Sequence, residues 1–157
     1  MSARFIVEAD GGSRGNPGKA AGGAVVIDET TGTLLAECGV WVGIATNNVA
    51  EYRGMIAGLE AALGRDRTAQ VRVRMDSKLV VEQMSGRWKI KHPDMQELAR
   101  HARALISTAN VTFEWIPRND NARADALANE AMDAGASFTR NFDSHETEQA
   151  PAPETLF

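Results

Sequence analysis

Phe5-Ile6-Val7-Glu8-Ala9-Asp10-Gly11-Gly12-Ser13-Arg14-Gly15-Asn16-Pro17-Gly18 is the stretch from which the rest of the chain is read. Phe5 to Ala9 is a short apolar run rich in β-formers. It ends in an aspartate, and a glycine-rich turn follows that lets backbone come close to whatever the aspartate holds. A carboxylate is costly in a packed interior, yet the end of a strand is where open α/β sheets place their ligands. Asp10 is therefore the first candidate functional residue, and the question becomes which other groups the chain brings to it.

Outward from this stretch, Ala20 to Ile27 reads as a second strand, followed by a turn at Asp28 to Gly32 and a third strand from Leu34 to about Val42. Short connections make these three an antiparallel meander, with Ala20-Ala21-Gly22-Gly23 its least strand-like part. Asn47 to Gly64 predicts a helix with Val49, Tyr52, Ile56, Leu59 and Leu63 at helical spacing. Val71 to Met75 alternates with period two and runs into Asp76; Ser77 to Met84 is helical and stops at Gly86. Arg87-Trp88-Lys89-Ile90-Lys91-His92 is a basic connection with an aromatic inside it, and Pro93 suits the first position of the next helix. Val111 to Ile116 is the last strand, ended by Pro117, and Asn121 to Ala134 the last helix. Strands separated by helices lie parallel. The expectation is an α/β fold with a five-stranded mixed sheet, three antiparallel meander strands plus two further parallel strands, and helices on both faces.

With 157 residues, 43% of them hydrophobic and 24% charged, the chain suits one globular domain, taken as residues 1–135. Residues 136–157 lack periodicity and read as a flexible acidic tail or a linker to a further domain. Cys38 is the single cysteine and no zinc-type spacing is present, which fits a reducing compartment. No apolar run approaches membrane-spanning length and the N-terminus has no signal-like segment, so a soluble, cytoplasmic protein with no membrane partner is expected. The net charge of −4 argues against a polyanionic partner, but the tail holds Asp143, Glu146, Glu148 and Glu154 against Arg140 alone. The rest is nearly neutral, and becomes effectively basic if its acids hold divalent metal.

Asp10, Asp76 and Asp125 each follow a strand that the others could neighbour, and Glu51 opens a helix. Each has a bland explanation: Glu51 in a capping box with Asn48, Asp76 capping the next helix, Asp125 at the positive end of a helix dipole, Asp10 as a turn former. Capping does not require strand-end placement of all of them, however. Four carboxylates converging in a crevice would repel one another and take up protons unless divalent cations relieved them, and an all-oxygen ligand set favours magnesium or manganese over zinc. A phosphate-binding P-loop is excluded, because Ser13 stands where its first glycine belongs and Ala20 where its Ser or Thr belongs. Ser13 and Asn16 suit sugar hydroxyls and base edges. Thr46-Asn47-Asn48 at a helix start suits either a phosphate or plain N-capping. Lys78, Arg87, Trp88, Lys89 and Lys91 form a basic-aromatic patch that reads equally as a nucleic-acid contact or a solvated loop.

Asp-Gly-Gly-Ser-x-Gly-Asn-Pro-Gly at 10–18, Thr-Asn-Asn-x-x-Glu at 46–51, Asp-Ser at 76–77 and Asn-x-x-x-Asp at 121–125 together resemble ribonuclease H type 1, in order and spacing, across residues 4–135. The resemblance implies the ribonuclease H fold and hydrolysis of the RNA strand of RNA/DNA hybrids with two magnesium ions, leaving 5′-phosphate and 3′-hydroxyl ends. It makes Asp10, Glu51, Asp76 and Asp125 the metal-binding acids. Ser13, Asn16, Asn47 and Asn48 would face the minor groove of the hybrid and Thr46 would hold a phosphate of the DNA strand. Many relatives carry a histidine in a loop before the last acid and a basic protrusion between two helices. Here Pro117-Arg118-Asn119-Asp120 is short and lacks histidine, so Arg118 takes that catalytic place. Only Gly86 to His92 separates the two helices, which leaves affinity to Trp88 with Lys78 and Lys89. The match is to the subgroup without protrusion and histidine loop. Similar domains are fused to a phosphatase-like domain, which suits a linker role for the tail. The alternative reading is a catalytically silent module that binds hybrid or double-stranded RNA; a monomer is expected in either case.

Overall fold

The computed structural model describes residues 2–107 and 109–142. In chain order the elements are β1 (Arg4–Gly15), β2 (Gly18–Asp28), β3 (Leu34–Ala45), α1 (Asn47–Arg65), β4 (Gln70–Met75), α2 (Lys78–Met84), α3 (Pro93–Leu105), β5 (Asn110–Trp115), a 3-10 turn (Arg118–Asn121), α4 (Ala122–Ala134) and β6 (Phe138–Asn141). One sheet runs in the order β5-β4-β1-β2-β3-β6, with β1, β4 and β5 mutually parallel and the remaining pairs antiparallel. The expected mixed sheet with a meander and two parallel strands is present.

Period-two alternation divides each strand between two cores. Phe5, Val7 and Ala9 of β1 with Ala24 and Val26 of β2 pack under α1 against Tyr52, Met55 and Leu59. Val25 and Ile27 point the other way, to Leu127 of α4, and Ala21 meets Ala128 and Ala131. Tyr52 is fully buried and its hydroxyl donates to Gln83 Oε1 at 2.7 Å, which satisfies two polar groups inside the larger core and ties α1 to α2.

The first strand does not end at Asp10. It continues to Gly15 because Gly11 to Gly15 pair with Gly22 back to Gly18 of β2. What ends at Ala9 is only the parallel ladder to β4, whose last pair is Ala9 with Met75. The glycines serve the helices. A Cβ on Gly11 would stand 2.2 Å from the Ala50 carbonyl carbon, and one on Gly22 2.5 Å from the Gly54 nitrogen. On the opposite face a Cβ on Gly23 would stand 2.4 Å from the Ala124 carbonyl oxygen. The weakest part of the strand pattern is therefore where α1 and α4 both press on the sheet.

A second correction concerns the expected five strands and the stretch beyond Gly135. The sheet has a sixth strand, β6, paired to the β3 edge from Ala36 to Gly39. Its four residues are too few and too polar to make a legible alternation. The ring of Phe138 fills the space above Gly39, and Arg140 stacks on that ring at 4.4 Å while pairing with Glu37 at 2.8 Å and with Glu130. The remainder of the predicted tail, 143–157, lies outside the described residues. Among the described residues no helix is long and apolar enough to cross a membrane.

Gly54→Ala should lower stability by ~3 kcal/mol, since its Cβ would fall 2.2 Å from the Asp10 carbonyl oxygen and backbone must move. Gly64→Ala, also in α1 but in open space, should raise it by ~0.5 kcal/mol. Urea unfolding of both variants checks the pair; equal effects would remove the close approach as the cause.

Candidate active site

Because the parallel ladder ends at the same level on β1 and β4, the next residues, Asp10 and Asp76, stand side by side. Glu51 joins them from α1 and Asp125 from the first turn of α4. All four line one cavity of about 320 Å³, together with Ser13, Asn47, Arg118 and Asn129. The bland explanations fall away in three cases. Thr46 caps α1, its Oγ1 accepting from Val49 N–H at 3.4 Å, so Glu51 forms no capping box and lies beyond the first turn. Ser77 caps α2, accepting from Val80 N–H at 3.3 Å, which leaves Asp76 free of that duty. Asp10 forms no turn, since it sits inside β1.

Burial pushes the Asp10 carboxyl up to about 8, helped by the charge of Asp76 and a hydrogen bond with Asp125, against an opposing bond from the Gly11 N–H. Burial likewise lifts Glu51 to about 7, with Asp76 adding to the rise while a hydrogen bond from Ser77 and the charge of Arg118 oppose it. Burial thus favours protonated forms of both acids near neutrality. The guanidinium of Arg118 donates from Nε to Asp76 Oδ2 at 3.4 Å, with its own side chain 89% exposed. The other oxygen, Oδ1, accepts from Asn121 Nδ2 at 2.9 Å.

The expected substrate-facing residues divide. Ser13 donates to the Gly15 carbonyl and to the Ala45 carbonyl at 2.9 Å, which holds the β1–β2 hairpin to the end of β3. Asn16 Oδ1 accepts from Asn47 N–H at 3.1 Å, linking that hairpin to the start of α1. Asn16, Thr46 and Asn48 line a neighbouring groove of about 460 Å³ with the apolar Val42, Ile44 and Met95. Trp88 stands elsewhere, half-exposed over a hollow with Gln83, Arg100 and Arg103. Lys78 reaches toward Glu82 at 4.0 Å, and Arg87 pairs with the same acid. Neither Lys78, Trp88 nor Lys89 lines the acidic cavity or the groove beside it. Two residues that the sequence reading gave no role belong to the site. Asn121 reads in sequence as a helix start, although its place four residues before Asp125 in the quoted motif is a signal. Asn129, one turn after Asp125, donates to that residue's carbonyl at 3.0 Å and has no such signal.

A family model described as reverse transcriptase-like matches residues 8–131. A bifunctional protein of Mycobacterium tuberculosis is 58% identical over 134 residues, 85% of this chain and 36% of its own length. The N-terminal RNase H domain of a protein from that organism, solved as a fusion with maltose-binding protein, superposes with a TM-score of 0.81 at 57% identity, covering 85% of this chain and 96% of that one. The chain belongs to the type 1 ribonuclease H family. Its ribonuclease H domain also superposes on RNase H1 of the archaeon Halobacterium salinarum with a TM-score of 0.77 at 43% identity, covering 83% of this chain and 98% of the other. For LC11-RNase H1, from compost, solved in complex with an RNA/DNA hybrid, the values are 0.75, 42%, 83% and 97%. The chain spans about a third of the length of the mycobacterial proteins it matches, 36%.

The donor set of this ribonuclease H domain fits hard divalent cations. It is all oxygen, three of its members are partly buried and Asp125 is exposed, and desolvation drives Asp10 and Glu51 toward protonation. Among the described residues no three such groups already stand in ligating geometry, and Asp76 is engaged by Arg118 and Asn121 instead. The raised Asp10 makes a pH prediction. Its folded value, about 8, exceeds the ordinary 3.8, so the folded chain binds a proton that the unfolded chain has released. The stability it contributes is present below about 4 and is lost as pH rises toward about 8. In chelator, Asp10→Asn should therefore melt ~5 °C above the parent at about pH 8 and close to it at about pH 4.5. Parallel melting curves for parent and variant across that range would mean that Asp10 ionises without strain.

Proposed function

We propose that this domain is an endoribonuclease that hydrolyses the RNA strand of RNA/DNA hybrids with two magnesium ions, for which manganese can substitute, leaving 5′-phosphate and 3′-hydroxyl ends. The observation that carries the reading is the convergence of Asp10, Glu51, Asp76 and Asp125, from separate elements, on one cavity in which burial and the charge of Asp76 raise Asp10 and Glu51. A relative 42% identical was solved with an RNA/DNA hybrid, which supports the same class of substrate here.

In this reading Asp10, Glu51, Asp76 and Asp125 would hold the ions, with Asp10 the acid that interacts with both Asp76 and Asp125. The ions supply charge stabilisation for the attacking and leaving oxygens of the phosphodiester. Everything else is the chain's own work. Ser13 and Asn47 border the cavity and Asn16, Thr46 and Asn48 the groove next to it, so a duplex lying across both meets short polar side chains suited to 2′-hydroxyls and base edges. Thr46 and the N-terminus of α1 present donors for a phosphate of the second strand. Arg118, exposed at the cavity mouth, serves the phosphate in the place of the family's histidine. Trp88, with Lys78 and Lys89, offers a stacking and electrostatic surface apart from the acids. A monomer in a reducing cytoplasm suits a domain whose one cysteine, Cys38, is buried and free. A phosphatase-like second domain beyond the tail belongs to the same proposal.

The ion pair of Arg118 with Asp76 favours one competing reading, a silent module that binds hybrid or double-stranded RNA with its acids neutralised internally. Asp10→Asn separates the two. It should abolish magnesium-dependent cleavage of a labelled hybrid while binding stays within a few fold; undiminished cleavage would remove the metal assignment. Arg118→Ala should lower kcat without abolishing it, and parental turnover would leave Arg118 a surface charge. Hybrid, double-stranded RNA and duplex DNA offered in magnesium and in manganese define the substrate class.

A further inference from the structure

Asn121 occupies the N-cap position of α4, where an asparagine side chain ordinarily accepts a hydrogen bond from the helix's free N–H groups. It makes no such bond. The side chain is turned inward, 1% exposed, and its Nδ2 donates to two oxygens: the Ala9 carbonyl at 2.8 Å and Asp76 Oδ1 at 2.9 Å. The amide can face only this way, because the reverse would set its oxygen against two acceptors. Its Oδ1 is left buried with no partner among the described residues. Buried polar atoms are rarely left so, and a cap foregone together with an orphaned oxygen points to a use for the two donors.

That use is in the register of the acids. Ala9 and Met75 form the last pair of the β1–β4 ladder, so beyond them no backbone bond joins the two strands. One amide there grips the peptide that leads into Asp10 and the carboxylate of Asp76. It also divides the two oxygens of Asp76: Oδ1 is held by a buried donor, while among the described residues Oδ2 meets the exposed and replaceable Arg118. We infer that Asn121 is a positioning residue of the metal site, holding Asp76 at a set distance from Asp10 with Oδ2 directed to the cavity. The inference rests on the nuclease reading above. Asn121 touches no reacting atom; it acts through Asp76.

The test compares Asn121→Ala and Asn121→Asp with the parent chain. Asn121→Asp keeps the shape and loses the donors. Three measurements apply: melting in chelator, magnesium affinity by calorimetry without substrate, and cleavage of a labelled hybrid at varied magnesium. Loss of an outer-sphere partner of a metal ligand costs ~10-fold to 100-fold, so both variants should bind magnesium at least ~10-fold more weakly, lose kcat by a similar factor and keep KM for hybrid. Variants that melt lower but retain the parental magnesium affinity and kcat would make Asn121 a structural residue only and overturn the inference. A check needing no variant is NMR of the parent, where the Asn121 side-chain amide protons should exchange slowly and shift as magnesium is added. Rapid exchange, or no shift at saturating magnesium, overturns the inference even if neither variant folds. If the parent binds magnesium but cleaves no hybrid, the nuclease reading falls on that result, whatever the variants do.

Discussion

The structure depends on how closely α1 lies on the sheet. With glycine at positions 11, 22 and 54, backbone meets backbone with no side chain between; an added Cβ would come within 2.2 to 2.5 Å of main-chain atoms. Three consequences follow from that one approach. Glu51, on the α1 residue whose nitrogen lies against Gly11, is brought to the level of Asp10. The large side chains Tyr52, Met55 and Leu59 are carried into the main core. The N-terminus of α1, with Thr46 and Asn47, is set beside the β1–β2 hairpin, where Asn16 ties the two together.

The same approach creates an electrostatic problem that the polypeptide only half solves. Burial and mutual repulsion hold Asp10 and Glu51 near the protonated form; of the two arginines lining the cavity, Arg118 pairs with Asp76, and Arg14 pairs with Asp133. Elsewhere the protein treats buried acids differently. Glu8, on the same strand and more deeply buried, is met by Arg123 at 3.2 Å and Arg74 at 3.8 Å. Two acids two residues apart thus have different surroundings: Glu8 is compensated by arginines, whereas Asp10 sits beside Asp76 and Asp125 and is raised by burial. That contrast separates a structural acid from a site acid better than burial does.

Much of this was readable in the chain. The period-two and helical patterns place the strands and helices to within a few residues, and the motifs around Asp10, Glu51, Asp76 and Asp125 single out the four acids that share the cavity. The misreadings have physical causes. Gly11 to Gly15 look like a turn because glycine is a poor strand former alone, but at Gly11 glycine is what α1 requires of the strand beneath it. Phe138 to Asn141 look like tail because a four-residue edge strand carries too few side chains to alternate. The basic patch around Trp88 is evident in sequence, yet neither Trp88, Lys78 nor Lys89 reaches the cavity or its neighbouring groove.

The sequence by itself determined the family, the order of the elements and the identity of the acids, because these are written in local periodicity and in motifs a few residues long. The tertiary structure alone decided that β1 runs on past Asp10, that Asn121 gives up its cap to hold Ala9 and Asp76, and that Arg118 rests on Asp76. It also decided which polar residues border the acids and which the groove beside them. The β1 extension rests on its hairpin pairing with β2, while the contacts of Asn121 and Arg118 and the close approach of α1 join residues about forty or more apart in sequence, as from Gly11 to Ala50 or from Asp76 to Asn121. No local pattern encodes such separations; they exist only once helices and sheet have closed on one another.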